Sequence, residues 1–169
     1  MGQNAANMKF CQVTRTTATL SIAVSGTAQV VPFEAALPGG NSPFALWEGV
    51  TNPSRITVNR AGWFWANCAI EFAASATGDR TIGFRKNGIA SLIGGQTNKS
   101  ATLAQEMTTA VLISLIAGDY LEVWVNQTSG GALNITTTLA KQSPSFSVFM
   151  HRAGSSTDFS AAAQIGFPL

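Results

Sequence analysis

Side chains able to do acid–base or nucleophilic chemistry are scarce in this chain. There is one histidine, His151, there are two cysteines, Cys11 and Cys68, and eight acidic residues are scattered along 169 positions. A hydrolytic triad needs a nucleophile, a base and a group that orients the base, and a histidine-rich metal site needs several imidazoles, so one His beside Arg152 supports neither. Glu71 and Glu122 are the one pair of carboxylates that could share acid–base work, since both fall on the outward side of alternating segments. Ion pairing with Arg15, Arg85 or Arg152 at a subunit contact is the simpler role for them. Asp79 and Asp119 follow glycines in turns, where Asp accepts backbone hydrogen bonds. Gly94-Gly95 and Gly130-Gly131 lack the Lys-Ser/Thr and the following helix of a phosphate loop. The two cysteines are too few and too far apart for a disulfide framework or a zinc site and read as small buried hydrophobes in a chain made in a reducing cytoplasm. No catalytic residue, metal or cofactor is expected.

With so little chemistry to position, the elements have a surface to position instead. Charged residues make up 11% of the chain, less than half the usual share, whereas hydrophobic residues make up an ordinary 46%, so much of the surface is expected to touch protein rather than bulk water. The ten basic and eight acidic side chains form no basic stripe, which sets nucleic acid aside. No window approaches the roughly 18 apolar residues of a membrane span. The opening Met-Gly-Gln-Asn-Ala-Ala has neither the charged and apolar regions of an export signal nor the Ser or Thr preferred at position six of a myristoylation start.

Residues 55–72 are central to the reading. After the Ala61-Gly62 bend, Phe64, Ala66, Cys68, Ile70 and Phe72 alternate with Trp63, Trp65, Asn67, Ala69 and Glu71, the period of a strand. One face suits a core; the other begins with two indoles that a solvated surface rarely displays. Around it run further alternating segments: 11–24, a short edge strand 29–33 carrying Pro32, 80–86 before an Asn87-Gly88 turn, a weak 89–93, 107–116, 120–127, 133–139 and 145–152. Residues 37–53, with three prolines and three glycines, read as a long loop holding at most a short strand near 44–47. Nine or ten short strands without a convincing helix give an all-β sandwich or barrel, with an arm at 1–10, one domain at 11–152 and an apolar extension at 153–169.

Four pieces occur in order: Ala61-Gly62-Trp63-Phe64, Arg85-Lys86-Asn87-Gly88, Leu115-Ile116-Ala117-Gly118-Asp119-Tyr120 and Phe146-Ser147-Val148-Phe149. In this order and spacing the chain resembles the trimeric jelly roll of tumour-necrosis-factor-like ligands and complement globular heads, over roughly residues 11–152. The resemblance implies ten strands in two sheets, with the inner sheets of three subunits packed around a threefold axis. By that likeness, 11–24, 63–72, 120–127 and 145–152 are the inner strands, and Trp63, Trp65, Tyr120, Trp124, Phe149 and His151 form the trimer interface, as aromatics suit a buried contact. The collagen-like stalk and membrane anchor common in that family are not seen.

The function expected from these features is that of a structural virion protein of a tailed bacteriophage, made in the host cytoplasm: a homotrimer that decorates or cements the capsid or forms a fibre base. Its arm and tail would lie on neighbouring major capsid or other virion proteins, with Phe159, Ile165, Phe167 and Leu169 as apolar anchors. The alternative is a surface-exposed head, at a fibre tip or as a spore-coat or secreted adhesin, that recognises a glycan or host receptor through 37–53 and 94–104.

Overall fold

The structure is a computed structural model that describes residues 10–16, 19–23, 26–38, 42–137 and 143–154. The described residues form two antiparallel sheets and contain no helix. In sheet I the central strand is β7 (Gly62–Phe72). It pairs along its whole length with β10 (Gln105–Leu115) on one edge. Its other edge is shared by β13 (Ser145–Ala153) and, beyond Ala69, by β12 (Leu133–Thr136). Outside β13 lie β1 (Phe10–Thr14) and β4 (Ala35–Ala36), and outside β12 lies β2 (Leu20–Ile22). Sheet II runs β5 (Ala45–Glu48), β6 (Asn52–Val58), β11 (Tyr120–Gln127), β8 (Arg80–Lys86) and β9 (Ile93–Asn98), with the two-residue β3 (Gln29–Val30) also on β11. The all-β sandwich expected from the alternation is therefore present, in thirteen described strands rather than nine or ten.

Three segments differ from the expected layout. Residues 11–24 do not form one strand: β1 and β2 pair at separate places in sheet I. The stretch 55–72 is not one bent strand either, because β6 belongs to sheet II and β7 to sheet I, so the break at 59–61 carries the chain across the sandwich. Gly62 sits where the chain arrives, and a Cβ there would stand 2.6 Å from the Arg152 carbonyl oxygen of β13. Most consequentially, 120–127 is not an inner strand beside β7. It is β11, the middle of sheet II, and β10 takes the place beside β7. A shared period of two gives every half-buried strand the same pattern, so alternation identifies the strand without saying which sheet it joins.

The core lies between the sheets, and each strand supplies every second residue to it. Phe64, Ala66, Cys68, Ile70 and Phe72 of β7 are buried and face Leu121, Val123 and Val125 of β11, with Ile82 and Phe84 of β8. Phe146 joins the layers, its ring centroid 5.7 Å from that of Phe33 and 5.8 Å from that of Phe84. At one end the apolar filling gives way to two in-register polar residues, Arg80 and Gln127, each 1% exposed. Arg80 donates to the carbonyls of Ser75, Thr77 and Gly78 at 2.8–2.9 Å, and Gln127 Nε2 donates to those of Ile22, Ala23 and Gly131. Backbone carbonyls that leave the ladders at this end are thereby satisfied inside the protein. Gly78 (φ +71°) lets the 75–79 loop run against the Thr128 carbonyl, which a Cβ would strike.

Two of the sequence pieces prove to be one device. Asn87 (φ 53°) and Gly88 (φ 69°) make the left-handed turn that closes β8, although β9 starts only at Ile93 and takes in Gly94 and Gly95. Asn87 Nδ2 donates to Asp119 Oδ1 (2.7 Å), Lys86 Nζ lies 2.7 Å from Oδ2, and the Ile116 N–H donates to the same oxygen at 2.9 Å. The Tyr120 N–H donates to Asn87 Oδ1, closing the loop between the turns before β9 and β11. Burial by itself raises the Asp119 pKa. The donors Asn87, Lys86 and Ile116 and the Lys86 charge outweigh it, and the carboxyl ends below its ordinary range.

A carboxyl whose pKa falls on folding adds stability that is complete above its unfolded pKa of about 3.9 and is lost as pH falls through the lower folded value. Denaturant unfolding should show Asp119→Asn to be less stable near neutrality by about 1–3 kcal/mol, with the gap to the parent narrowing below about pH 4; a constant gap would exclude this role. Cys11 and Cys68 are buried thiols rather than a disulfide pair, and burial pushes each up to about 12. Both should resist a thiol reagent at about pH 8 and react together only on unfolding, which absorbance with Ellman's reagent measures.

Candidate functional site: the outer face of sheet I

The register of four adjacent strands places their outward side chains in rows. The first is Phe10 on β1, Phe149 on β13, Trp65 on β7 and Leu112 on β10. The second is Gln12, Ser147, Asn67 and Ala110, and the third Thr14, Ser145, Ala69 and Thr108. None of these twelve positions carries a charge, so the low charge of the chain is concentrated where it matters for contact. Among the described residues, charges stand at the two ends of the face, with Arg152 near Trp63 and with Glu71 opposite Glu106; His151 lies beside Arg152. Ser147 Oγ lies 2.9 Å from Asn67 Oδ1, so part of the polar row is satisfied within the sheet.

The apolar row is not fully covered by the described residues. Phe149 is 37% exposed, Trp63 38% and Leu112 39%, while Phe10 and Trp65 are half-buried. Between Phe10 and Phe149 the face opens into a groove of about 430 Å³ that is also lined by Gln12, Ser147 and Met150. A register shift between Met150 and Arg152 marks a bulge in β13, and His151 is exposed there. Such bulges re-aim side chains and loosen the ladder locally. Covering the exposed parts of Trp63, Leu112 and Phe149 removes roughly 240 Å² of apolar surface, worth about 6 kcal/mol per protomer. That only matches the lower estimates of what association costs in lost freedom, so a lasting contact needs the uncharged rows as well.

Of the six residues expected at a subunit contact, four are brought together here: Trp63, Trp65, Phe149 and His151. Tyr120 and Trp124 are not, because β11 lies in sheet II and their side chains face away on the opposite side of the sandwich. Glu71 and Glu122 are separated for the same reason, which removes the one carboxylate pair considered for acid–base work. Glu71 is 7% exposed and its Oε1 accepts from the Thr136 hydroxyl at 3.0 Å. Phe10 and Leu112 were not anticipated. Phe10 falls in a segment read as a polar arm, and Leu112 sits in an apolar run whose two faces cannot be told apart by period. The anchors Phe159, Ile165, Phe167 and Leu169 lie outside the described residues, as do residues 1–9 of the arm.

No protein-family model matches the chain, and no curated protein matches it either.

The two phenylalanines of β13 test which face is core. Phe146→Ala should cost about 3–5 kcal/mol in denaturant unfolding, since its ring fills the space between Phe33 and Phe84. Phe149→Ser should give a folded protein with an unchanged circular dichroism spectrum, and an unfolded one would show that its ring belongs to the core.

Proposed function

We propose that this protein is a structural building block, a homotrimer closed through the outer face of sheet I, that serves in the virion of a tailed bacteriophage as a capsid decoration or cement protein or as a fibre base. The observation that carries the subunit contact is the exposed row Phe10–Phe149–Trp65–Leu112 on a face whose middle has no charge. The opposite face of the sandwich carries Arg55, Arg85 and Glu122, so the two outer faces differ in the property that decides which one leaves water. The row has unlike ends, a groove at Phe10 and a protruding Leu112, so each copy would use both ends in a head-to-tail ring, which closes as a cyclic oligomer. The likeness of the four sequence pieces to a family of trimeric heads supports three as the number. The low total charge, and the lack of any constellation for catalysis in the sequence, support a packing role in a particle over chemistry.

A receptor- or glycan-binding head built on 37–53 and 94–104 has less to rest on. β5 and β9, which those segments contain, are the two edges of sheet II, with β6, β11 and β8 between them. Among the described residues the two segments do not meet in one site.

Sedimentation equilibrium at micromolar concentrations should return three times the 17.6 kDa chain mass. Trp65→Glu should lower that mass toward one chain, because each copy would have to bury a carboxylate, whereas Trp124→Glu should leave it unchanged. A parent protein that sediments as a single chain, or dissociation by Trp124→Glu alone, would sink the assignment of the face. Gradient-purified particles should contain the chain in fixed ratio to the major capsid or tail protein by quantitative mass spectrometry; its loss from washed particles would exclude the virion role.

A further inference from the structure

The outer face of sheet II holds a second cluster, which takes no part in the proposed subunit contact and does not depend on it. Arg55 on β6 and Arg85 on β8 are both in register with Glu122 on β11, so three charged side chains form one row across three adjacent strands. Such a row invites a carboxylate bridged by two guanidinium groups. Yet among the described residues neither arginine is in ion-pair contact with a carboxylate. Each lies on an aromatic ring of β11 instead, the guanidinium carbon of Arg55 4.5 Å from the Tyr120 centroid and that of Arg85 5.2 Å from the Trp124 centroid. Tyr120 and Trp124 stand two residues to either side of Glu122, so the arginines lean in opposite directions and leave Glu122 between them. There it accepts a long bond, 3.4 Å, from the Ser54 hydroxyl. Arg55 Nε, Arg85 Nε and Trp124 Nε1 are buried and have no acceptor. Buried donors are normally paired. Among the described residues these three donors stay unpaired, although the Glu122 carboxylate beside them has acceptor capacity to spare.

The geometry points to a binding site for an acidic saccharide, a sugar bearing one carboxylate among several hydroxyls. Either guanidinium group supplies a fork of donors for the carboxylate, the two lying apart on rings four residues distant, and Glu122 with Ser54 supplies acceptors and a hydroxyl for the sugar's own hydroxyls. Contact with the Tyr120 and Trp124 rings holds the guanidinium groups in place before a ligand arrives, which reduces the entropy lost on binding. The central carboxylate decides between ligand classes. Two arginines and one glutamate leave a local charge of only +1, enough to favour a single carboxylate, while Glu122 repels the closely spaced charges of a polyanion and has hydroxyls to bond in a sugar. Sheet II faces outward when sheet I is the subunit contact, so the site stays open in the assembled protein.

Titration of the ¹⁵N-labelled full chain with galacturonate, followed by two-dimensional NMR, tests this. The Trp124 indole N–H and the Nε–H of Arg55 and Arg85 should shift in a saturable way, and galactose, its neutral counterpart, should move none of them. Arg55→Met and Arg85→Met keep the apolar stem over each ring and should weaken binding at least about tenfold with the sedimenting mass unchanged. If neither galacturonate nor N-acetylneuraminic acid moves these resonances in the parent protein, the site is refuted, whether or not the variants fold. Shifts confined to residues of sheet I would refute it too. Hexaglutamate binding as tightly as either acidic sugar would overturn the saccharide assignment in favour of an acidic peptide.

Discussion

Pairing of β7 on both of its edges is the constraint from which the rest of the structure follows. One eleven-residue strand is hydrogen-bonded along its full length to β10 and, on the other side, to β13 and then β12. A strand so placed has no edge exposed to water, and its two faces must then serve two different purposes. The inner face fills the space above β11 and β8 with Phe64, Ala66, Cys68, Ile70 and Phe72. The outer face fixes Trp65 in line with Phe149 and Leu112, and because side chains alternate strictly, a slip of one residue would exchange the two sets. The apolar row outside is thus held in place by the same register that fills the core.

The two sheets have contrasting outer surfaces. Sheet I presents an apolar row backed by uncharged polar residues; sheet II presents arginines lying on aromatic rings around a carboxylate. Each face is built on strands already fixed by the core, so the proposed subunit contact and the proposed ligand site stand on opposite sides of one domain.

Much of the strand pattern could be read from the chain, and the reasons for the misses are specific. Residues 80–86 and 120–127 coincide with β8 and β11 because clear alternation is bounded by Gly-Asp and Asn-Gly turns. Sheet membership is not legible in the period, since β11 and β10 share that of β7 and only long-range pairing decides which of them lies beside it. The likeness to trimeric heads groups Tyr120 and Trp124 with Trp65, and the sandwich separates them. The link between Asn87 and Asp119 was equally hidden: each is an ordinary turn residue on its own, and only folding brings them to 2.7 Å. The row Phe10–Phe149–Trp65–Leu112 draws on four strands from both ends of the chain, so no local window contains it.

On the outer face of sheet I Arg152 lies by Trp63, and Glu71 and Glu106 face each other at the far end. In the proposed trimer three such faces would set a ring of guanidinium groups at one pole and a ring of carboxylates at the other, so that its top and bottom would differ in charge.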